Sequence, residues 1–259
     1  MPTVGRYHVP VELCYKGVML HRLSLTALLL LFAVTASSAK EPPTVAEVVA
    51  QVVKAYGGEK KLRSINGYHA NGEQWAAMSN QTIEAERWFG RPDRLRLILV
   101  YPDHTEIRVT SGSAGWSGSS DDSLEPANPM KLMAMRLQSV RLDVPLRLVE
   151  QADKIALQEP DQDGRIVLRL AIEDGLHIDY HIDPKSWRIM RAVTAMEAPQ
   201  PMEFAADYDG FKKIDGILVA MKETTYAGET LTSKLELKSF DWNPKDLEAR
   251  LSAGTIGGN

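Results

Sequence analysis

The chain has 259 residues, 44% of them hydrophobic and 25% charged, with 30 Lys and Arg against 34 Asp and Glu. This is the profile of a globular protein with a sizeable core, and it excludes disorder, low complexity and an electrostatic nucleic-acid binder. The single cysteine, Cys14, precedes a Leu-rich run, so the chain beyond that run has no thiol for a disulfide, a Cys-ligated metal or a nucleophile.

Residues 23–36 are apolar apart from Ser24, Thr26 and Thr35, follow His21-Arg22, and end at Ser37-Ser38-Ala39, a small-x-small cleavage pattern. Residues 1–39 therefore read as a secretory signal peptide cut after Ala39, the run being shorter than the roughly 20 residues of a membrane-spanning helix. The segment ahead of Met19 fits a signal poorly, which makes Met19 a second candidate start. Cleavage removes Arg6, Lys16, Arg22 and Glu12 and leaves a net charge of −6 with no basic run, a poor match to nucleic acid or anionic membrane.

Thr44 and Glu47 form a capping box, apolar residues recur at 45, 48, 49, 52, 53 and 56, and Gly57-Gly58 ends the pattern. This predicts an amphipathic helix whose one stripe lies on the dry face of a sheet, with Leu62 and Ile65 continuing the contact. Strands are predicted at 67–75, 82–89, 95–101 and 105–111, separated by turn residues such as Gly90-Arg91-Pro92-Asp93 and Pro102-Asp103-His104. Leu95, Leu97 and Leu99 alternate with Arg94 and Arg96, and Ile107 and Val109 with Glu106, Arg108 and Thr110, so the meander has one dry face. Residues 112–116 are expected to turn the chain and leave the Trp116 indole where the meander ends.

A polar loop follows, and Asn128 with Pro129 marks a second helix. Met130, Met133, Ala134, Leu137 and Val140 form one apolar stripe, and Leu132, Met135 and Leu142 form another on the opposite side. The second stripe suits either an adaptable methionine-rich contact with ligands or an ordinary core. Asp143-Val144-Pro145 restarts a short helix. Strands are then predicted at 154–159, 165–172, 176–182, 188–196, 202–208, 217–226 and 230–240, divided by turns such as Asp163-Gly164 and Asp215-Gly216. Met202, Phe204, Ala206 and Tyr208 share one strand face. About eleven strands with short connections imply one long antiparallel sheet that curls to hide its apolar face. Two or three helices cover such a sheet incompletely and leave a cavity.

Signals of chemistry are sparse. His177, Asp179 and His181 share a strand face, as a metal site or as the wet side of a strand. His69 and His104 are isolated, Ser117 lacks a nucleophile elbow, and Asp121-Asp122 sits in a polar loop. No phosphate loop, dinucleotide fingerprint or HExxH motif occurs, and neither a catalytic role nor a cofactor or metal is expected.

Trp88-Phe89-Gly90-Arg91-Pro92-Asp93-Arg94 resembles the aromatic-x-x-Arg-Pro turn of the LolA/LolB-type periplasmic carriers. Ser111-Gly112-Ser113-Ala114-Gly115-Trp116 resembles their Asp-Gly-x-x-x-Trp turn, with Ser111 in the acidic position. Ala55-Tyr56-Gly57-Gly58, Ile182-Asp183-Pro184-Lys185 and Ile214-Asp215-Gly216-Ile217 resemble outer membrane lipoprotein-sorting homologues. The resemblance spans most of residues 40–259 and implies a single half-barrel domain, an unclosed β-barrel capped by helices over an apolar cavity for acyl chains. It implies a monomeric periplasmic carrier that receives lipid or lipoprotein acyl chains from one membrane partner and passes them to another. The alternative is a sensor or accessory domain of the RseB type. The candidate cavity and lid residues are Trp88, Arg91, Trp116, Met130, Met133, Leu137, Phe204 and Tyr208, with Arg91 implied to hold the lid by bonds to its backbone. N-terminal sequencing of the exported protein is expected to begin at Lys40, and recovery of the uncut chain as an integral membrane species would overturn the leader.

Overall fold

The computed structural model describes residues 43–173, 175–196 and 202–252, all within one compact unit, Pro42–Asn259. The predicted leader, Cys14 and the cleavage position lie outside the described residues. Helix α1 is Val45–Tyr56 and α2 is Glu59–Leu62. Strands β1 (Gly67–Ala76), β2 (Gln81–Gly90), β3 (Arg94–Val100), β4 (Thr105–Ser111), β5 (Ala114–Gly118) and β6 (Glu125–Pro126) follow. After α3 (Pro129–Val140) and α4 (Leu146–Glu150) come β7 (Ile155–Gln158), β8 (Ile166–Glu173), β9 (Leu176–Ile182), β10 (Ile189–Met196) and β11 (Met202–Asp209). A hairpin of β12 (Lys212–Ile214) and β13 (Ile217–Val219) leads to β14 (Lys222–Ala227), β15 (Thr230–Trp242) and α5 (Leu247–Ser252).

The capping box at Thr44 and Glu47 is made in full, and Gly57 ends α1 at φ +123°. A Cβ at Gly57 would stand 2.6 Å from the Gly216 carbonyl oxygen, so glycine is needed there for both conformation and space. Asn128 accepts from the Lys131 amide at 2.9 Å, and Pro129 opens α3.

Thirteen strands form one antiparallel sheet in the order β6-β5-β4-β3-β2-β1-β15-β14-β11-β10-β9-β8-β7, and β12 and β13 pair separately. The two halves of the chain meet where β1 pairs with β15, Tyr68 opposite Trp242. The terminal strands β6 and β7 do not pair with each other, so the sheet stays unclosed. Pro126 has no amide hydrogen to offer and suits the β6 edge.

Three expectations are corrected. Residues 217–226 are not one strand: Ile217, Leu218 and Val219 are all buried, and they leave the large sheet as a hairpin, whereas Lys222 resumes it. Nor does the meander end at 116. Gly112, at φ +58°, and Ser113 make a two-residue turn, and the chain returns along β4 as β5. Gly115 allows this under α3, since a Cβ there would meet Leu132 Cδ1 at 2.8 Å. Among the described residues the helices also exceed the expected two or three, because α2 and α5 are too short for a clear period, whereas α4 follows Asp143-Val144-Pro145 as expected.

Strand register decides the faces. Leu97 lies opposite Arg87 and Arg108, so Glu106, Arg108 and Thr110 share the concave face with Leu95, Leu97 and Leu99. Ile107 and Val109 are buried on the convex face, where buried Arg96 pairs with Asp121. The α1 stripe shares one core with Leu168, Leu170, Ile178 and Tyr180 of β8 and β9, in the C-terminal half of the sheet rather than under the first meander. Helix α3 bridges the curled sheet, touching β4 and β5 on one side and β10 and β11 on the other. That position explains its two apolar stripes: Met135 packs toward Gly115, and Leu137 joins the α1 core. Helix α5 covers Trp88 on the convex face through Leu247 and Leu251.

Ile178 is fully buried between these layers, so Ile178→Ala is expected to cost about 2–5 kcal/mol in urea unfolding. Leu157→Ala, at the exposed β7 edge, should stay within about 0.5 kcal/mol of the wild type.

Candidate ligand-binding site

Two small chambers lie between the concave face and the segment joining α3 to α4. The larger has a volume of about 100 Å³ and the smaller about 50 Å³, and both are bounded by Tyr56, Tyr68, Leu142, Val144, Leu218 and Trp242. Each is well below the roughly 300–1,000 Å³ of a pocket for a small molecule, so a ligand must displace part of the cover. Their wall is aromatic: Tyr68 stacks on Phe240 at 4.7 Å, and Trp242 meets both rings edge-on at 6.0 and 4.6 Å. Across a wall of charged side chains lies a cleft of about 220 Å³ lined by Leu97, Leu99, Tyr101, Arg108 and Phe204. A shallow groove of about 720 Å³ runs past Met130, Ala134 and Phe204 at the start of α3.

The dividing wall is a buried ionic cluster. Glu223 of β14 accepts two bonds on one carboxylate oxygen from Arg87 of β2, at 3.2 and 3.3 Å, and one on the other from Arg141 at 2.5 Å. Arg141, directly after α3, also donates to the Tyr208 hydroxyl at 3.3 Å. Burial alone would raise the Glu223 pKa, but the Arg141 and Arg87 charges outweigh it and hold the carboxyl down at about 2. Burial raises the pKa of Tyr68 and Tyr208, which keeps both phenols neutral. Glu106 is likewise held at about 2, with Arg108 and Lys131 overcoming its burial.

A second cluster ties α4 to the β2–β3 turn. Arg91 donates to Asp143 at 2.6 Å and to Glu150 at 2.6 Å, while Arg147 returns a bond to the Pro92 carbonyl at 2.5 Å. The Arg91 partners are thus carboxylates rather than the backbone groups that the motif implies. The Asp143 pKa is raised, burial exceeding the pull of Arg91 and Arg147.

No protein-family model matches the sequence, and no curated protein matches it. The structure is similar to that of a LolA superfamily protein from Nitrosomonas europaea, with a TM-score of 0.52 at 9% identity, over 78% of this chain and 95% of that one. The fold is LolA-like. It is also similar to a DUF1329 family protein from Desulfovibrio piger, with a TM-score of 0.51 at 10% identity, over 78% of this chain and 94% of that one.

On this LolA-like sheet the predicted residues fall in different places. Tyr208 borders the larger chamber, and Met130 and Phe204 border the groove. Leu137 is fully buried and Met133 packs beside the same core. Trp88 lies on the convex face, stacked on His69 at 3.9 Å, and Trp116 points away from α3 on that same side. Arg169 holds Asp179 at 2.7 and 2.6 Å, and Asp161 contacts His181 at 2.8 Å. Among the described residues no group of three His, Cys, Asp or Glu side chains is placed for a metal. Sequence reasoning missed Arg87, Arg141, Glu223, Phe240 and Trp242. The usable signal was Arg87, a charge in phase with the dry residues Ile83, Ala85 and Phe89.

Glu223→Ala leaves two buried guanidinium groups unpaired and is expected to cost about 3–5 kcal/mol in denaturant unfolding. Because the folded pKa is depressed, the stabilisation from Glu223 is complete above the ordinary carboxylate range and is lost as pH falls from about 5 toward 2. Glu223→Gln should flatten that part of the stability–pH profile.

Proposed function

We propose that this protein is a periplasmic carrier of lipid or lipoprotein acyl chains that works by apolar burial, without cofactor or covalent chemistry. The observation that carries this reading is the aromatic and aliphatic chambers beneath the α3–α4 segment of an unclosed sheet. The LolA-like fold supports it. Among the described residues no helix is long and apolar enough to cross a membrane. An acyl chain entering the chambers gains roughly 0.8 kcal/mol per buried CH₂. Opening requires the segment and α4 to leave Arg91 and Pro92: the Arg91–Glu150 bond is partly exposed and exchanges for water at little net cost, while the buried Asp143 and Arg147 bonds set the resistance to opening.

Native mass spectrometry of protein purified from its own periplasm should find stoichiometric acyl-lipid adducts. Val144 borders both chambers, and Val144→Trp fills them at a folding cost of about 1–3 kcal/mol. The variant should lose the adducts while staying folded by circular dichroism. Lipid-free protein that copurifies with one defined protein partner would instead favour a sensor or accessory domain.

A further inference from the structure

The charge on the wall between the chambers and the cleft does not balance. Arg87 and Arg141 bring two guanidinium groups to one carboxylate, Glu223, and the flanking phenols of Tyr68 and Tyr208 carry no compensating charge. The Arg87 side chain is only 8% exposed, and its Nε is buried without an acceptor in hydrogen-bonding geometry, the neutral Tyr68 hydroxyl being a further polar neighbour of this guanidinium. Arg108, which also lines the cleft, and Lys131, which lines the neighbouring groove with Glu203, share the Glu106 carboxylate at 2.9 and 3.0 Å, but these groups are partly exposed and stand outside the buried cluster. Two buried guanidinium groups therefore face one buried carboxylate, in a chain whose overall charge is −4. A buried positive excess with no second carboxylate calls for an anion, since an isolated charge in a dry site is costly and a charge-assisted hydrogen bond relieves it.

Apolar surface flanks this excess on both sides: Leu97, Leu99 and Phe204 in the cleft, and Leu218, Val219 and Trp242 in the larger chamber. A small inorganic anion leaves those surfaces unused. We infer that the wall binds the anionic head of an amphiphile, a carboxylate or phosphate on an acyl chain, with Arg87 and Arg141 as its ligands and the apolar lining as the seat of the tail. The inference rests on the acyl-carrier reading and narrows it to acidic lipids. The guanidinium fork suits either head, because both present oxygens in a plane that two N–H groups can meet.

Calorimetric titration of the purified protein with dodecanoate, dodecyl phosphate and methyl dodecanoate tests it. Dodecanoate or dodecyl phosphate should bind about tenfold to a hundredfold more tightly than the ester, the range expected for a charge-assisted bond, and the stronger of the two identifies the head. Arg87→Met should abolish that preference and retain ester binding, and Arg87→Lys should keep part of it. Equal affinity for all three ligands would overturn the anion site and leave the carrier reading standing. Binding of none would overturn both. The wild-type ratio decides the matter even where Arg87→Met fails to fold.

Discussion

A sheet that does not close cannot keep its own concave face from water, and the cover that it recruits governs the rest of this structure. Thirteen strands curl until β4 and β5 approach β10 and β11, and α3 spans the gap between those walls. The helix therefore needs apolar residues on two opposite sides, one for each wall. Helix α1 and the β12–β13 hairpin cover the C-terminal half, where Val48, Val52, Tyr180 and Leu218 pack together. What remains uncovered is the short α3–α4 segment, and the chambers lie beneath it because a turn carries too few side chains to fill the space.

Ion pairs join apolar contacts in holding that segment at both ends, where Val140, Leu146 and Leu148 are buried in the α1 core. Arg141 anchors the end of α3 to Glu223, and Asp143, Arg147 and Glu150 anchor α4 to the β2–β3 turn. The two anchors differ at one contact. Glu223 and its arginines are buried, so that removing one partner strands the others in a dry environment. The Arg91–Glu150 pair is partly exposed and solvent can replace it. The rest of that second anchor is as dry as the first, because the Asp143 and Arg147 side chains are buried and Glu150 alone is open to water. The chambers and the charged wall thus belong to one arrangement: the residues that hold the cover also set the charge of what lies under it.

The convex face follows other rules. Trp88 and Trp116 belong to the turns most similar to those of the LolA/LolB-type carriers, yet the strand period sends both away from the concave side. There α5 covers Trp88, and Asp121 neutralises the buried Arg96. Phe89 and Leu95, one residue from Trp88 and Arg96, face the other way and join the concave core. In a β-strand a motif is split between two faces, and a chain-order resemblance does not say which half lines a site.

The sequence by itself determined the local elements: α1 with its capping box, the start of α3 at Asn128-Pro129, most strands from their period of two, and the antiparallel class from short turns. It also carried the two apolar stripes of α3, although not the reason for them. Only the tertiary structure decided which strands are neighbours, that β13 leaves the sheet, which face of β4 is concave, and that Arg87 shares the carboxylate of Glu223, 136 residues away, with Arg141. The physical reason is range. Periodicity, capping and turn chemistry act over a few residues and can be read along the chain. Register and buried charge pairing act between segments whose spacing in sequence has no relation to their spacing in the fold, and a shift of one residue inverts the face.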